Sequence, residues 1–188
     1  GIRMIGDIPI YVAMDSADAW ANPSLFQLDE KNVPYAVAGC PPDGFSATGQ
    51  LWGNPLYRWE YHRQTGYEWW LKRLSHCFKL YDAVRIDHFR GFDQYYSIPY
   101  GAEDATRGHW EQGPGIDLFN RVRQVLGEKE VIAEDLGYVT DSVRKLVYDS
   151  GFPGMKVLEF AFDSRDSGCA NDYLPHNSGK FRSLYRNP

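Results

Sequence analysis

The stretch that decides the fold is Tyr81-Asp82-Ala83-Val84-Arg85-Ile86-Asp87-His88-Phe89-Arg90-Gly91-Phe92. Its first apolar residues predict a short buried strand, yet the strand carries Arg85 and ends at Asp87. Unpaired charge in a protein interior is costly, so both side chains need a partner there. A purely structural ion pair between them would meet that need. The alternative is that the strand opens at its C-terminal end into a site that uses both charges.

A second stretch favours the functional alternative. Val131-Ile132-Ala133-Glu134-Asp135-Leu136-Gly137 is again a short apolar run that ends in carboxylates. In (β/α)8 barrels, the functional side chains lie at the C-terminal ends of parallel strands. Two buried strands that each deliver a carboxylate at that end therefore indicate a barrel active site.

Strand and helix signals alternate along the chain. The predicted strands lie near residues 3–12, 81–87, 131–134 and 155–162. Long loops rich in glycine, proline and aromatic residues are predicted after the first two strands, over 15–63 and 90–115. Such alternation predicts a parallel sheet with crossover helices. Because four strands do not close a barrel, the chain is either a small open α/β sheet or part of a larger barrel.

Three helices are predicted from periodicity and capping signals. Thr65 and Glu68 have the spacing of a capping box, which predicts a helix from there to about residue 80. Apolar positions over 116–126 predict a second helix. Thr140 is the predicted N-cap of a third helix, through about residue 148.

Composition restricts the classes of partner. A net charge of −5 without any run of Lys or Arg argues against nucleic-acid binding. The apolar runs are shorter than the ~20 residues of a membrane span, and the N-terminus lacks a signal-peptide pattern. The three cysteines match neither a disulfide framework nor a zinc motif, so we expect the cytoplasm. Aromatic residues reach 15%, many of them in predicted loops, where their faces suit sugar rings.

The two carboxylates at the strand ends have a spacing that suits glycoside chemistry. Neighbouring parallel strands lie ~4.8 Å apart, which brings Asp87 and Glu134 near the ~5–5.5 Å that retaining glycosidases use. Arg85, on the same strand face, would keep Asp87 ionised as a nucleophile. Glu134 would need an apolar wall and a nearby negative charge to raise its pKa for service as the acid. The alternative is a structural ion pair at the strand ends.

A metal site is a weaker alternative. The residues that could supply one are Asp7, Asp87, His88, Glu134 and Asp135. Their spacing matches no metal motif, and no glycine-rich run with a following Lys and Ser/Thr could cradle phosphate. We therefore predict that the protein uses no metal and no cofactor.

Several blocks resemble the amylomaltases, the 4-alpha-glucanotransferases of glycoside hydrolase family 77. Besides the two stretches above, they are Gly6-Asp7-Ile8-Pro9-Ile10-Tyr11-Val12, Pro41-Pro42-Asp43, Gly49-Gln50-Leu51-Trp52-Gly53-Asn54-Pro55-Leu56-Tyr57 and Pro153-Gly154-Met155-Lys156-Val157-Leu158. The resemblance runs in order from residue 3 to about 177. Any one block would be weak, but together they are specific.

The resemblance implies part of an alpha-amylase-type (β/α)8 barrel that transfers alpha-1,4-glucan segments between maltodextrins. By position, Asp87 resembles the nucleophile and Glu134 the general acid/base. The substrate-binding positions that it implies are Asp7, Phe45, Gln50, Trp52, Arg85, His88 and Asp135. Gln50 and Trp52 match a loop that covers the glucan. The family often carries a larger residue where this chain has Gly44, so an altered acceptor contact there is a hypothesis.

The resemblance also implies a third catalytic aspartate, on a later strand. Leu174-Pro175-His176-Asn177 resembles the segment just upstream of it. Residues 1–188 are therefore expected to form about half of a catalytic barrel, impaired or inactive alone and prone to self-association through open edges. An alpha-amylase-type hydrolase and a non-catalytic maltodextrin-binding fragment are the competing predictions.

Overall fold

The computed structural model describes residues 1–137, 139–162, 173–174 and 183–186. In chain order its strands are β1 (Ile5–Pro9), β2 (Ala36–Cys40), β3 (Gln50–Pro55), β4 (Ala83–Asp87), β5 (Gln94–Pro99), β6 (His109–Gln112), β7 (Val131–Ala133), β8 (Gly154–Val157) and β9 (Ser183–Arg186). Its helices are α1 (Ala17–Ala21), α2 (Trp59–Gln64), α3 (Glu68–Leu80), α4 (Ile116–Leu126) and α5 (Asp141–Ser150). Within these ranges, no helix is long and apolar enough to cross a membrane.

The main sheet is parallel, with strand order β1-β4-β7-β8-β9. Neighbours in the sheet follow the order of the chain, as in a barrel, whereas a doubly wound sheet reverses its order part-way. The predicted partial barrel is thereby confirmed in its architecture. That residues 1–188 form a single incomplete domain, and that they self-associate through open edges, stay predictions.

The helices cover one face of this sheet, and the charges lie on the other. Val84 and Ile86 are fully buried in one apolar cluster with Trp70 of α3 and Phe119 of α4. Because successive side chains of a strand point to opposite faces, Arg85 and the residue after Ile86 point away from these helices. The alternation of apolar and charged residues in β4 thus fixes which face holds the core.

The two predicted long loops contain a second sheet, which is a correction. Strands β3-β2-β5-β6 pair in an antiparallel sheet, whose members lie between β1 and β4 and after β4. Glycine and proline next to β2 and within β3 made this stretch look like a loop. Gly39 is a site of close backbone approach, because a Cβ there would lie 2.0 Å from the carbonyl oxygen of Gln50.

The predicted capping box is also wrong. The Thr65 hydroxyl donates to the carbonyls of Tyr61 and His62, and so closes α2 instead of opening α3. Tyr67, in a left-handed conformation with φ 59°, precedes the first residue of α3. The helix itself is confirmed as α3, and so are the other two predicted helices. Gly127, with φ 73°, follows the last residue of α4, and Thr140 accepts a hydrogen bond from the amide of Val143 at the start of α5.

The strand predicted over 155–162 is shorter than expected. Strand β8 covers Gly154–Val157, and a 3-10 turn, Leu158–Phe162, follows. Val157, the last residue of β8, pairs with Arg186 of β9, and the turn begins at the next residue. The apolar letters beyond it therefore belong to the turn, where Phe162 is exposed. The segment 175–177 and Cys169 lie outside the described residues, whereas Cys40 and Cys77 are free thiols.

Candidate active site

The parallel ladder places Asp87 and Glu134 at the same level of neighbouring strands. Ile86 pairs with Ala133, and these residues directly precede the two carboxylates. The Glu134 amide donates to the Ile86 carbonyl at 3.1 Å, and the Glu134 carbonyl accepts from the Phe89 amide at 3.0 Å. The ladder therefore continues past the ends of both strands. At ordinary strand spacing, this brings the two residues to about 4.8 Å between backbones.

Arg85 lies between two carboxylates. Its Nη2 donates to Asp87 Oδ1 at 2.6 Å, and its Nη1 donates to both oxygens of Asp7 at 2.7 Å. Burial disfavours the charged guanidinium, but the hydrogen bonds and charge of Asp7, together with Asp87, outweigh it and raise the pKa of Arg85. The Asp87 side chain remains 48% exposed. The expected pair of Arg85 and Asp87 is thus present, with one oxygen of Asp87 held and its side chain still accessible.

The surroundings of Glu134 favour the neutral form of its carboxyl group. Burial raises the pKa of its carboxyl group, and the charge of Asp87 raises it further. Two backbone amides oppose that shift, since Leu136 donates to Oε1 at 2.9 Å and His88 donates to Oε2 at 2.8 Å. Arg85 opposes it too, yet the net direction is upward. The neutral form of Glu134 is therefore favoured more than in an ordinary glutamate, as a general acid requires.

His88 follows Asp87 in a left-handed conformation, with φ 55°. Its ring packs edge-on against Trp52, with 4.8 Å between the ring centroids. Burial, aided by the charge of Arg90, lowers the pKa of His88 to about 4. The imidazole is therefore neutral near pH 7.

Trp52 packs against His88, the residue that follows β4. Its Nε1 donates to Gln50 Oε1 at 2.9 Å, which fixes the indole on strand β3. A cavity of about 470 Å³ is lined in part by Trp52, Asp87 and His88. The structure thus joins a carboxylate and an aromatic face in one cavity, the combination that sugar rings require.

Phe45 and Asp135 are less directly connected to this cavity. Phe45 is exposed in the connection between β2 and β3, where Asp43 accepts hydrogen bonds from the amides of Phe45 and Ser46. Asp135 accepts from the Met155 amide at 2.8 Å and so ties β7 to β8, strands that share one register pair. Burial raises the pKa of Asp135. A substrate contact by either residue stays a prediction.

Some cavity residues escaped the sequence analysis. Tyr11 and Asn54 line the cavity, and Arg73 of α3 donates to the carbonyls of Pro9 and Ile10 at 2.7 and 3.1 Å. Arg73 thereby holds the carboxyl end of β1. The sequence did contain a signal for Arg73, because this arginine lies on the apolar side of the predicted helix, near Trp70.

The metal alternative gains no support from the geometry. In the part of the chain that the structure describes, no three histidine, cysteine or acidic side chains converge as metal ligands. The oxygens of Asp7 and one oxygen of Asp87 accept instead from Arg85.

Comparison with known proteins decides the family. A model described as 4-alpha-glucanotransferase, of glycoside hydrolase family 77, matches residues 1–185. The chain belongs to this family. As a family 77 member it is 52% identical to a 4-alpha-glucanotransferase of Streptococcus pneumoniae over 187 residues, which are 99% of this chain and 37% of that protein.

Two further relatives agree. A 4-alpha-glucanotransferase of Thermus thermophilus is 52% identical over 94% of this family 77 chain and 35% of its own length. The solved amylomaltase from Streptococcus agalactiae in complex with acarbose matches with a TM-score of 0.90 and 45% identity, over 94% of this chain and 35% of that one. The chain thus spans little more than a third of the length of these relatives.

Proposed function

We propose that the protein is a 4-alpha-glucanotransferase that moves alpha-1,4-glucan segments from a donor maltodextrin to the 4-hydroxyl of an acceptor. The observation that carries the proposal is the pair Asp87 and Glu134 on neighbouring strand ends, in a chain of this family. The names of the relatives support transfer over other chemistry. The free thiols of Cys40 and Cys77 are compatible with the cytoplasm as its compartment.

The two carboxylates have different roles in the proposed double displacement. Asp87, paired with Arg85, attacks the anomeric carbon and forms a covalent glycosyl-enzyme, while Glu134 protonates the departing glycosidic oxygen. In the second half, Glu134 removes the proton of the acceptor hydroxyl, which displaces Asp87 from the sugar. The raised pKa of Glu134 supports its starting as the acid.

Transfer requires that a sugar hydroxyl outcompete water at the covalent intermediate. Trp52, with Gln50 holding its indole, supplies an apolar cover over the cavity beside Asp87. We assign donor and acceptor binding to this cover and to Asp7, which is accessible beside Arg85. Phe45, His88 and Asp135 complete the proposed set of substrate-binding residues.

Product analysis on maltotriose tests the proposal. Because the chain covers about a third of its relatives, it is expressed with its flanking coding sequence, and the 188-residue chain is assayed beside it. We expect glucose together with maltodextrins longer than the substrate, since the glycosyl-enzyme is captured by a sugar. Glucose and maltose alone would indicate an alpha-amylase-type hydrolase and overturn the assignment.

Gly44 offers a test of acceptor selection. A Cβ at Gly44 meets no heavy atom within 4 Å and φ is not positive there, so Gly44→Tyr adds an aromatic side chain that starts in open space. We expect the ratio of transfer to hydrolysis on maltotriose to rise about twofold or more, because the ring gives the acceptor another apolar face. Ala21→Tyr, at an exposed small residue of α1 whose φ is not positive, is the control. An unchanged ratio in Gly44→Tyr would remove this position from acceptor binding.

A further inference from the structure

His88 contacts both functional parts of the proposed site. Its backbone amide donates to Oε2 of Glu134 at 2.8 Å. Its ring lies against Trp52, the cover of the cavity. His88 therefore contacts both Glu134, the proposed acid/base, and Trp52, the proposed barrier to water.

The backbone contact depends on an uncommon conformation. His88 has φ 55°, a left-handed geometry that a residue with a side chain adopts only when its surroundings hold it there. This geometry turns the chain directly after Asp87 and leads into the 3-10 turn Phe89–Phe92. An extended backbone at this point would carry the amide away from Glu134. The position of the hydrogen bond thus depends on whatever keeps His88 left-handed.

The contacts of the His88 ring can hold its backbone in the left-handed conformation. The ring lies 4.8 Å from the Trp52 ring and 6.4 Å from the Tyr11 ring, and a Cβ on Gly91 would come within 3.2 Å of His88 Cδ2. Its Nε2 is buried without a hydrogen-bond partner among the described residues. The ring therefore acts here as a packed, uncharged wedge between these neighbours.

We propose that His88 is a positioning residue, whose ring, packed under Trp52, holds the left-handed backbone that aims its amide at the Glu134 carboxyl group. The proposal rests on the proposed function and deepens it. The proposal links the position of Trp52 to Glu134. If Trp52 moves away, the His88 ring loses its packing, and the hydrogen bond from the His88 amide to Glu134 weakens. The other ionisable groups that act on Glu134 are Asp87 and Arg85 of β4 and Cys40 of β2.

Two substitutions separate the backbone from the ring. His88→Ala removes the ring and disfavours the left-handed backbone, whereas His88→Asn removes the ring but tolerates that backbone. We expect His88→Ala to lower kcat/KM for transfer by about 10-fold or more and to move the basic limb of its pH profile upward, because Glu134 loses a hydrogen bond that favours its ionised form. His88→Asn should restore the limb towards its original pH.

Asn32→Ala is the matched control. Asn32 has the same left-handed backbone, with φ 61°, but lies in an exposed turn outside the cavity lining. It should leave the pH profile in place whatever it does to the melting temperature. Equal pH profiles for His88→Ala, His88→Asn and the unaltered protein would overturn the proposal, since a merely structural role would change only stability.

A double-mutant cycle with Trp52→Leu tests the link itself. If His88 and Trp52 act through one contact, the double variant should lose about 10-fold in kcat/KM rather than the ~100-fold product of independent effects. Additive losses would overturn the link. If the unaltered protein shows no transfer, the proposed function is wrong, and the contact between His88 and Trp52 is tested by fluorescence instead. Trp52 emission, taken as the difference from a Trp52→Phe variant, then tests whether His88→Ala changes the environment of the indole, and no change would overturn the contact.

Discussion

Replacing Asp87 by asparagine is expected to abolish glucan transfer, with kcat lower by about 10⁴-fold or more. The amide keeps the size of the carboxylate and can still accept from Arg85 Nη2, but it cannot form the glycosyl ester. Because the side chain is half exposed, we expect little change in the free energy of unfolding. Initial rates of product formation from maltotriose, with thermal unfolding of the same samples, measure both effects.

Asp82→Asn is the control for this substitution. Asp82 precedes β4, is exposed, and accepts a hydrogen bond from the Met4 amide at 2.7 Å, which an asparagine oxygen can also accept. Its transfer rate should stay within about twofold of the original. Maltodextrin binding without turnover, identical in the unaltered protein and in Asp87→Asn, would instead indicate a non-catalytic glucan-binding module.

The strand-end carboxylates were predictable because their signal is local. In β4 and β7, a short apolar run and the charge that ends it lie within a few letters of each other. The contact of Arg85 Nη1 with both oxygens of Asp7 was not predicted, although both residues were named as candidates. It depends on the register of β1 against β4, which joins residues 78 positions apart. Periodicity within one strand indicates which of its faces is buried, but it does not identify the distant strand that pairs with it.

The antiparallel sheet was missed for a related reason. Strand β2 pairs with β5, and Gly39 faces Tyr96 across a stretch that includes two helices and β4. Glycine and proline within these short strands resemble loop punctuation when only neighbouring letters are considered. The sequence did show that the two predicted loops are rich in aromatic residues, in which disordered segments are poor. The geometry of Trp52 over the cavity could come only from the assembled sheet.

Glu134→Gln is expected to lower transfer from maltodextrins by about 10²–10⁴-fold, because glutamine cannot protonate the leaving oxygen. The pH profile gives a second signature. Activity that needs protonated Glu134 falls as pH rises through its raised pKa, so this basic limb should vanish in the variant. Glutamine also presents an NH2 group where one of two backbone amides now finds an oxygen, at a cost of about 1–3 kcal/mol in stability.

A donor with a better leaving group separates chemistry from structure in this variant. An α-glucosyl fluoride needs little protonation, so Glu134→Gln should retain glycosyl-enzyme formation from it while remaining slow on maltotriose. Glu130→Gln, at an exposed glutamate paired with Arg3, controls for the loss of one negative charge near β7. Equal losses on both donors, with the basic limb unmoved, would mean that Glu134 only supports the backbone around Asp87. The different loss on the two donors thus tests directly whether burial of this carboxyl group serves proton transfer.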